Sequence, residues 1–200
     1  MEKEGIMSRR VADFSKAADI AQTILIFLTA LLVPTFLGEL LKNTFASNSV
    51  VVTNSQLIIG SLVNTALIMT AINLKGWTKI LGVVTMPSVA TILGGYVFKT
   101  ASVYMVWMIP AIWIGNLALI YAYKLIMLAK NKNYFLAGVI GIAVKVAVIF
   151  GVFSILKAFG IFPEKLATNL QVAMGSTQTI TATIGMIISF VIYKIETIKK

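Results

Sequence analysis

Cysteine and histidine are both missing from the 200 residues. Their absence removes disulfides, the usual zinc, haem and iron–sulfur ligands, and imidazole acid–base chemistry, so no metal or cofactor is expected. Cysteine usage therefore says nothing about the redox compartment. Charge is scarce as well: 12% of the residues are charged, and only 7 are Asp or Glu. No G-x-x-x-x-G-K-[ST] loop occurs, which excludes ATP binding in the P-loop manner, so active uptake would need a partner to supply energy. Intramembrane hydrolysis needs an activated nucleophile or a metal-bound water. Only a serine–lysine pair on Lys145 could be drawn, and no serine is evident for it, so no enzyme is expected. With no internal repeat, low-complexity stretch or linker, one domain over 1–200 is expected.

Apolar residues are what the chain has instead. They make up 58% of it, with a mean hydropathy of +0.93, beyond the composition of an average soluble domain. A hydrocarbon core of about 30 Å needs about 20 helical residues. Six runs meet that need, at 20–41, 57–74, 80–98, 104–128, 135–156 and 177–193. The first follows a basic N-terminus, but it is too long for a signal peptide and no small-residue cleavage site closes it. The expected fold is an all-α membrane protein, a single bundle of six transmembrane helices.

An even number of spans puts both termini on one side, and the basic residues say which. Lys3, Arg9, Arg10, Lys16, Lys75, Lys79, Lys124, Lys130, Lys132, Lys194, Lys199 and Lys200 fall on that side, against Lys42, Lys99, Lys157 and Lys165 on the other. The positive-inside rule makes both termini cytoplasmic. It also explains the net charge of +10 by contact with the leaflet of anionic lipid, without nucleic acid. "KGWTK" and "AKNKN" read as tight cytoplasmic turns. The longest connections, 42–56 and 157–176, face outward and are either binding loops that close as lids or plain solvent loops.

The one basic residue left over is Lys145, inside "GIAVKVAVIF". It lies ten residues into the fifth run, about 15 Å deep at 1.5 Å per residue. A lysine facing lipid at that depth costs on the order of 3 kcal/mol, so it should face the bundle interior. The membrane carboxylate Glu39 sits near the outer surface, roughly half a bilayer away. Two readings remain: an ammonium at the floor of an outward cavity awaiting an anionic or polar ligand, or one held by helix carbonyls and water.

Other polar groups gather at the same depth and above. The fourth run has a small-residue ridge, Ala111, Gly115, Ala118 and Ala122, suited to close packing. Its second face, Pro110, Trp113, Asn116 and Ile120, should point inward because an asparagine avoids lipid. Trp113 is too deep for an interfacial belt and is either core packing or a stacking wall for a flat ligand. The sixth run lines up Gln178, Thr181, Gly185 and Ser189, and the second offers Gly60, Asn64 and Ala71. The cytoplasmic halves of the last three runs are mostly aliphatic. A channel needs a polar path through both halves and a proton-coupled carrier usually needs a buried carboxylate. A pocket open to one side fits better than either.

With these features the chain resembles the substrate-binding S components of energy-coupling factor (ECF) transporters, bacterial and archaeal membrane proteins of six helices with both termini inside. The likeness covers nearly the whole chain as topology. "AADIA" supplies Ala17 and Ala21 in the Ala-x-x-x-Ala spacing with which that family's first helix contacts its transmembrane T component, and "IPAIWIGNLALIYAY" is similar to a recurrent fourth-span pattern. The resemblance implies capture of a small water-soluble, vitamin-like compound in an outward pocket, with a T component and two ATPase subunits as partners in a prokaryotic cell membrane. Lys145 would then supply charge or a hydrogen bond to a flat heterocycle or a carboxylate. Asn116 and Gln178 would supply amide hydrogen bonds, Trp113 would stack, and Thr181 and Asn64 would complete the polar wall. No signature names the vitamin, and the lack of histidine argues against nickel or cobalt. The alternative is a structural or assembly membrane protein whose polar residues only knit helices together.

Overall fold

The computed structural model describes residues 2–45, 49–50, 54–94 and 99–198, and the elements among them are all helical. Inside hydrocarbon every backbone N–H and C=O must be paired within its own segment, which favours helices over isolated strands. α1 (Glu2–Leu32) continues through a wide π-helical turn, Val33–Leu37, into Gly38–Thr44. α2 (Ser55–Asn73) and α3 (Trp77–Gly94) follow. α4 (Ile109–Ala122) is preceded by a 3-10 stretch, Lys99–Met108, and prolonged by a second π-helical turn, Tyr123–Ala129. α5 (Tyr134–Ala158), α6 (Glu164–Met174) and α7 (Ser176–Ile198) complete the chain.

Five segments are long and apolar enough to cross a membrane, as in a multi-pass membrane protein: Lys16–Leu41, Ser55–Asn73, Val103–Ala129, Tyr134–Ala158 and Glu164–Ile198, the last combining α6 and α7. α3 covers most of the remaining expected run, 80–98, whose residues 95–98 lie outside the described ones. So do 46–48 and 51–53 of the first long connection, and Lys199 and Lys200 of the tail. The side chains at 1–15, 42 and 91–102, with the basic residues Lys3, Arg9, Arg10, Lys42 and Lys99, also fall outside the description.

Local chemistry fixes the turns. Gly76 takes a left-handed φ of 92° between α2 and α3, and Asn131 takes φ 49° before α5, in the two connections expected to be tight. Glycine adopts that region freely, and asparagine tolerates it better than most residues do. Asn133 then caps α5, its side-chain oxygen accepting from the N–H groups of Phe135 and Leu136 at 2.7 and 3.4 Å. The connection 157–176 is ordered rather than loose. Most of it is α6, which buries Ala167, Leu170, Ala173 and Met174 against Met105, Ile149, Phe153 and Phe162, while Lys157 donates to Gln171 at 2.8 Å.

The bundle is built on two intimate helix pairs, α2 with α7 and α4 with α5. Small residues allow both. A Cβ on Gly185 would stand 2.7 Å from the Cβ of Asn64 and 2.9 Å from the carbonyl oxygen of Ser61, and one on Gly115 would stand 3.2 Å from the carbonyl oxygen of Lys145. Ala111, Gly115 and Ala122 of the small-residue ridge are buried in the second pair, while Ala118 is half-buried. Tyr134 joins the pairs by donating to the Met186 carbonyl at 2.9 Å and sharing a 2.7 Å hydrogen bond with Ser189. Lys79 meets Asp19 at 2.6 Å and Asn73 donates to Glu196 at 3.3 Å. One end of the bundle thus gathers the early part of α1, the end of α2, the start of α3 and the end of α7.

Since a methyl group at 185 would meet backbone, Gly185→Ala is expected to lower the stability of the purified protein by about 1–3 kcal/mol through overpacking. Gly151, with nothing within 4 Å of its would-be Cβ, serves as control. Gly151→Ala should be neutral or stabilising by up to about 1 kcal/mol through helix propensity. Unfolding midpoints in detergent check both.

Candidate functional site

Lys145 lies in the middle of α5, about 16 Å from Tyr134 along the axis, and is 3% exposed. It points into the bundle. Its ammonium donates to the side-chain oxygen of Asn64 at 2.6 Å. Asn64 sits at the middle of α2, and its amide nitrogen donates to the carbonyl oxygen of Gly60 at 2.8 Å and to the hydroxyl of Thr181 on α7 at 3.3 Å. Those two bonds aim the amide oxygen at the lysine. The contact between α2 and α7 is close because Gly60 leaves room for Thr181, whose methyl would stand 2.8 Å from a Cβ there.

These groups line one cavity of about 90 Å³. Asn64, Asn116 and Lys145, at its floor, are each no more than 3% exposed. Gln56, Thr177 and Gln178, at the first turns of α2 and α7, are half-buried, so the cavity runs from mid-bundle toward the end opposite Asp19 and Glu196. Beyond the floor, Leu67, Ile68, Leu119, Ile120, Ile142 and Ala182 form a closed apolar core. Pro34, in the π-helical turn after α1, and Pro87, inside α3, form part of the wall. Proline removes a helical hydrogen bond and widens or bends the helix, which accounts for the π-helical turn at Pro34.

The electrostatics are one-sided. Among the described residues no acidic side chain lines the cavity, Glu39 is exposed, and the one ion pair is Lys79 with Asp19. Among the described residues the buried Ser88 hydroxyl, also in the wall, has no hydrogen-bond partner, and the Asn116 side chain makes no hydrogen bond. Lone donors in a buried polar wall point to water or a ligand. Among the described residues no group of three or more acidic side chains could hold a metal ion.

Of the site residues read from the sequence, Lys145, Asn64, Asn116, Gln178 and Thr181 come together in this cavity. Trp113 does not. It packs half-buried against the apolar core, with its indole N–H buried and unpartnered, because the stripe of α4 that reaches the cavity is Ile109, Ile112 and Asn116. Ala17 and Ala21 are exposed on α1, on a face that also exposes Ile20, Ile24, Leu25 and Leu28. Gln56, Thr177 and Ser88 were missed by sequence reasoning. The first two sit at span ends, where polar residues are ordinary, and Ser88 is marked only by following Pro87. Compared with protein families, curated proteins and solved structures, the chain matches none.

A buried cation is costly to keep and more costly to orphan. Lys145→Met, similar in volume and uncharged, is expected to leave the unfolding midpoint unchanged or raised. Asn64→Leu, which strips the ammonium of its hydrogen bond, should destabilise the protein by about 1–3 kcal/mol. Thermal unfolding of the two variants checks this, and a lower midpoint for Lys145→Met would make the lysine a structural strut.

Proposed function

We propose that the chain is the substrate-capture subunit of an uptake transporter, binding a small water-soluble, vitamin-like compound in the cavity above Lys145. The observation that carries this reading is a buried ammonium facing a cavity whose described wall residues offer it no carboxylate. In this reading six helices cross a prokaryotic cell membrane, both termini are cytoplasmic, and the cavity faces outward. The early part of α1, the turn after α2 and the end of α7 then lie at the basic, inner side. The chain binds and does not catalyse. Energy comes from a T component and two ATPase subunits, as the resemblance to ECF S components implies, and the exposed face of α1 around Ala17 and Ala21 meets the T component.

The enclosed volume, about 90 Å³, is below the range of roughly 300–1,000 Å³ usual for pockets that hold drug-sized ligands. A vitamin-sized compound therefore enters only if the outer ends of α4 and α7 part, with α6 moving as a lid. A structural or assembly role is the competing reading, and the hydrogen bonds linking Lys145, Asn64 and Thr181 across three helices favour it.

Incubating the purified protein with a metabolite mixture separates the two. A compound retained by the native chain and lost in Lys145→Ala supports capture. Unchanged thermal stability with every fraction of the mixture, and nothing retained, supports the structural role. Co-purification with a T component and ATPases is expected, and substituting Ala17 and Ala21 with bulkier residues such as leucine should weaken it.

A further inference from the structure

The floor of the cavity restricts the chemistry of what it can hold. An ammonium has three N–H donors, and Asn64 takes one at 2.6 Å. The others have no acceptor among the described residues. Asn64 cannot turn to serve a ligand, because its own amide donors are engaged by Gly60 and Thr181. Asn116, 2% exposed and lining the same cavity, makes no hydrogen bond to another described residue. The open functions around the floor thus include the spare N–H donors of Lys145, and among the described residues no acidic side chain lies in the wall.

We propose that the captured compound anchors through a single carboxylate, bound at the floor by the Lys145 ammonium and the Asn116 amide. The inference rests on the cavity being a capture site. A carboxylate has two oxygens with about four acceptor positions, matching the spare lysine donors and the Asn116 N–H group. With the lysine protonated, it also brings the total charge of the floor to zero. A doubly charged phosphate monoester would leave net negative charge in a dry site, and a cationic ligand would meet like charge, both costly where the effective dielectric is low. A neutral amide would leave the ammonium uncompensated. Ile59, Val63, Ile109 and Ile112 above the floor favour an apolar body next to the acid. The chamber, about 90 Å³, is smaller than the cavity of about 150 Å³ that accepts benzene. It therefore takes the carboxylate and a short chain, and a longer ligand would extend toward Gln56 and Gln178.

The test uses the full chain in lipid nanodiscs and follows its unfolding midpoint with propionate and butyrate, each against its own amide. At about 10 mM the acids are expected to raise the midpoint, and the amides to need about tenfold more for the same shift. Lys145→Met should abolish the response to the acids. Asn64→Asp provides an independent check, because it places an internal carboxylate where the lysine already finds an oxygen. Whatever its own midpoint, since aspartate loses the amide donors to Gly60 and Thr181, that variant should weaken the acid response about tenfold. Equal responses to acid and amide, or an acid response that survives Lys145→Met, would overturn the proposal. If a metabolite mixture yields a retained compound without a carboxylate, the anchor is wrong while capture stands. If neither the acids nor the mixture shifts the midpoint, both fall.

Discussion

The Lys145 ammonium and the Asn64 amide oxygen meet at 2.6 Å in the middle of the bundle, and much of the surrounding geometry exists to allow that contact. An ammonium at mid-span cannot face lipid and cannot reach a surface by extending its side chain. Its helix must therefore turn it inward, and something polar must await it there. Asn64 fills that role only because α2 and α7 approach closely enough at Gly60 and Gly185 for Thr181 to take one of its donors. The lysine is brought up by the other close pair, where Gly115 lies against its own carbonyl. One hydrogen bond thus joins two helix pairs whose tight packing has a separate cause in small residues.

A polar floor does not by itself make a cavity, since an interior normally packs to crystal-like density. Here the upper part of the wall is irregular. Pro34 sits in a π-helical turn that widens the first span, and Pro87, which has no N–H to donate, lies inside α3 on the same wall. A polar group is left over at the same level in Ser88. Toward the chain termini, aliphatic side chains close the bundle. The result is a molecule with its cavity on one side of Lys145 and a closed core on the other.

Much of this was legible in the sequence, for reasons that can be named. Four of the five segments long enough to span match expected runs to within a few residues, because hydrocarbon demands length and apolarity that little else imitates. The fifth, Glu164–Ile198, begins well before the expected 177–193 because it takes in α6. The convergence of Lys145, Asn64, Asn116, Gln178 and Thr181 followed from depth and helical period alone. Trp113 failed that logic because it lies one residue from a lining position, and 100° of rotation decides whether an indole meets a cavity or a core. The helix α6 was hidden because its run of buried residues is too short to stand out from a loop, and it becomes helical by packing on Phe153 and Phe162. The π-helical turns could not be read either, since proline announces a disturbance without specifying its form.

The same residues that hold the bundle together at its centre leave it incompletely satisfied, so on the proposed capture reading stability and binding would be opposed at this site. An acidic residue in the wall would neutralise Lys145 and favour the empty protein, yet it would occupy the donors that a ligand needs. Asparagine at 64 is a compromise. Its oxygen gives the ammonium one hydrogen bond and no charge, enough to orient the lysine while leaving the electrostatic part of the burial cost in place. A bound anion relieves that cost only while it is present, so part of its affinity would come from strain already stored in the empty site rather than from new contact area. If the cavity is the capture site proposed above, the absence of a carboxylate among the described residues of its wall is what would let it discriminate.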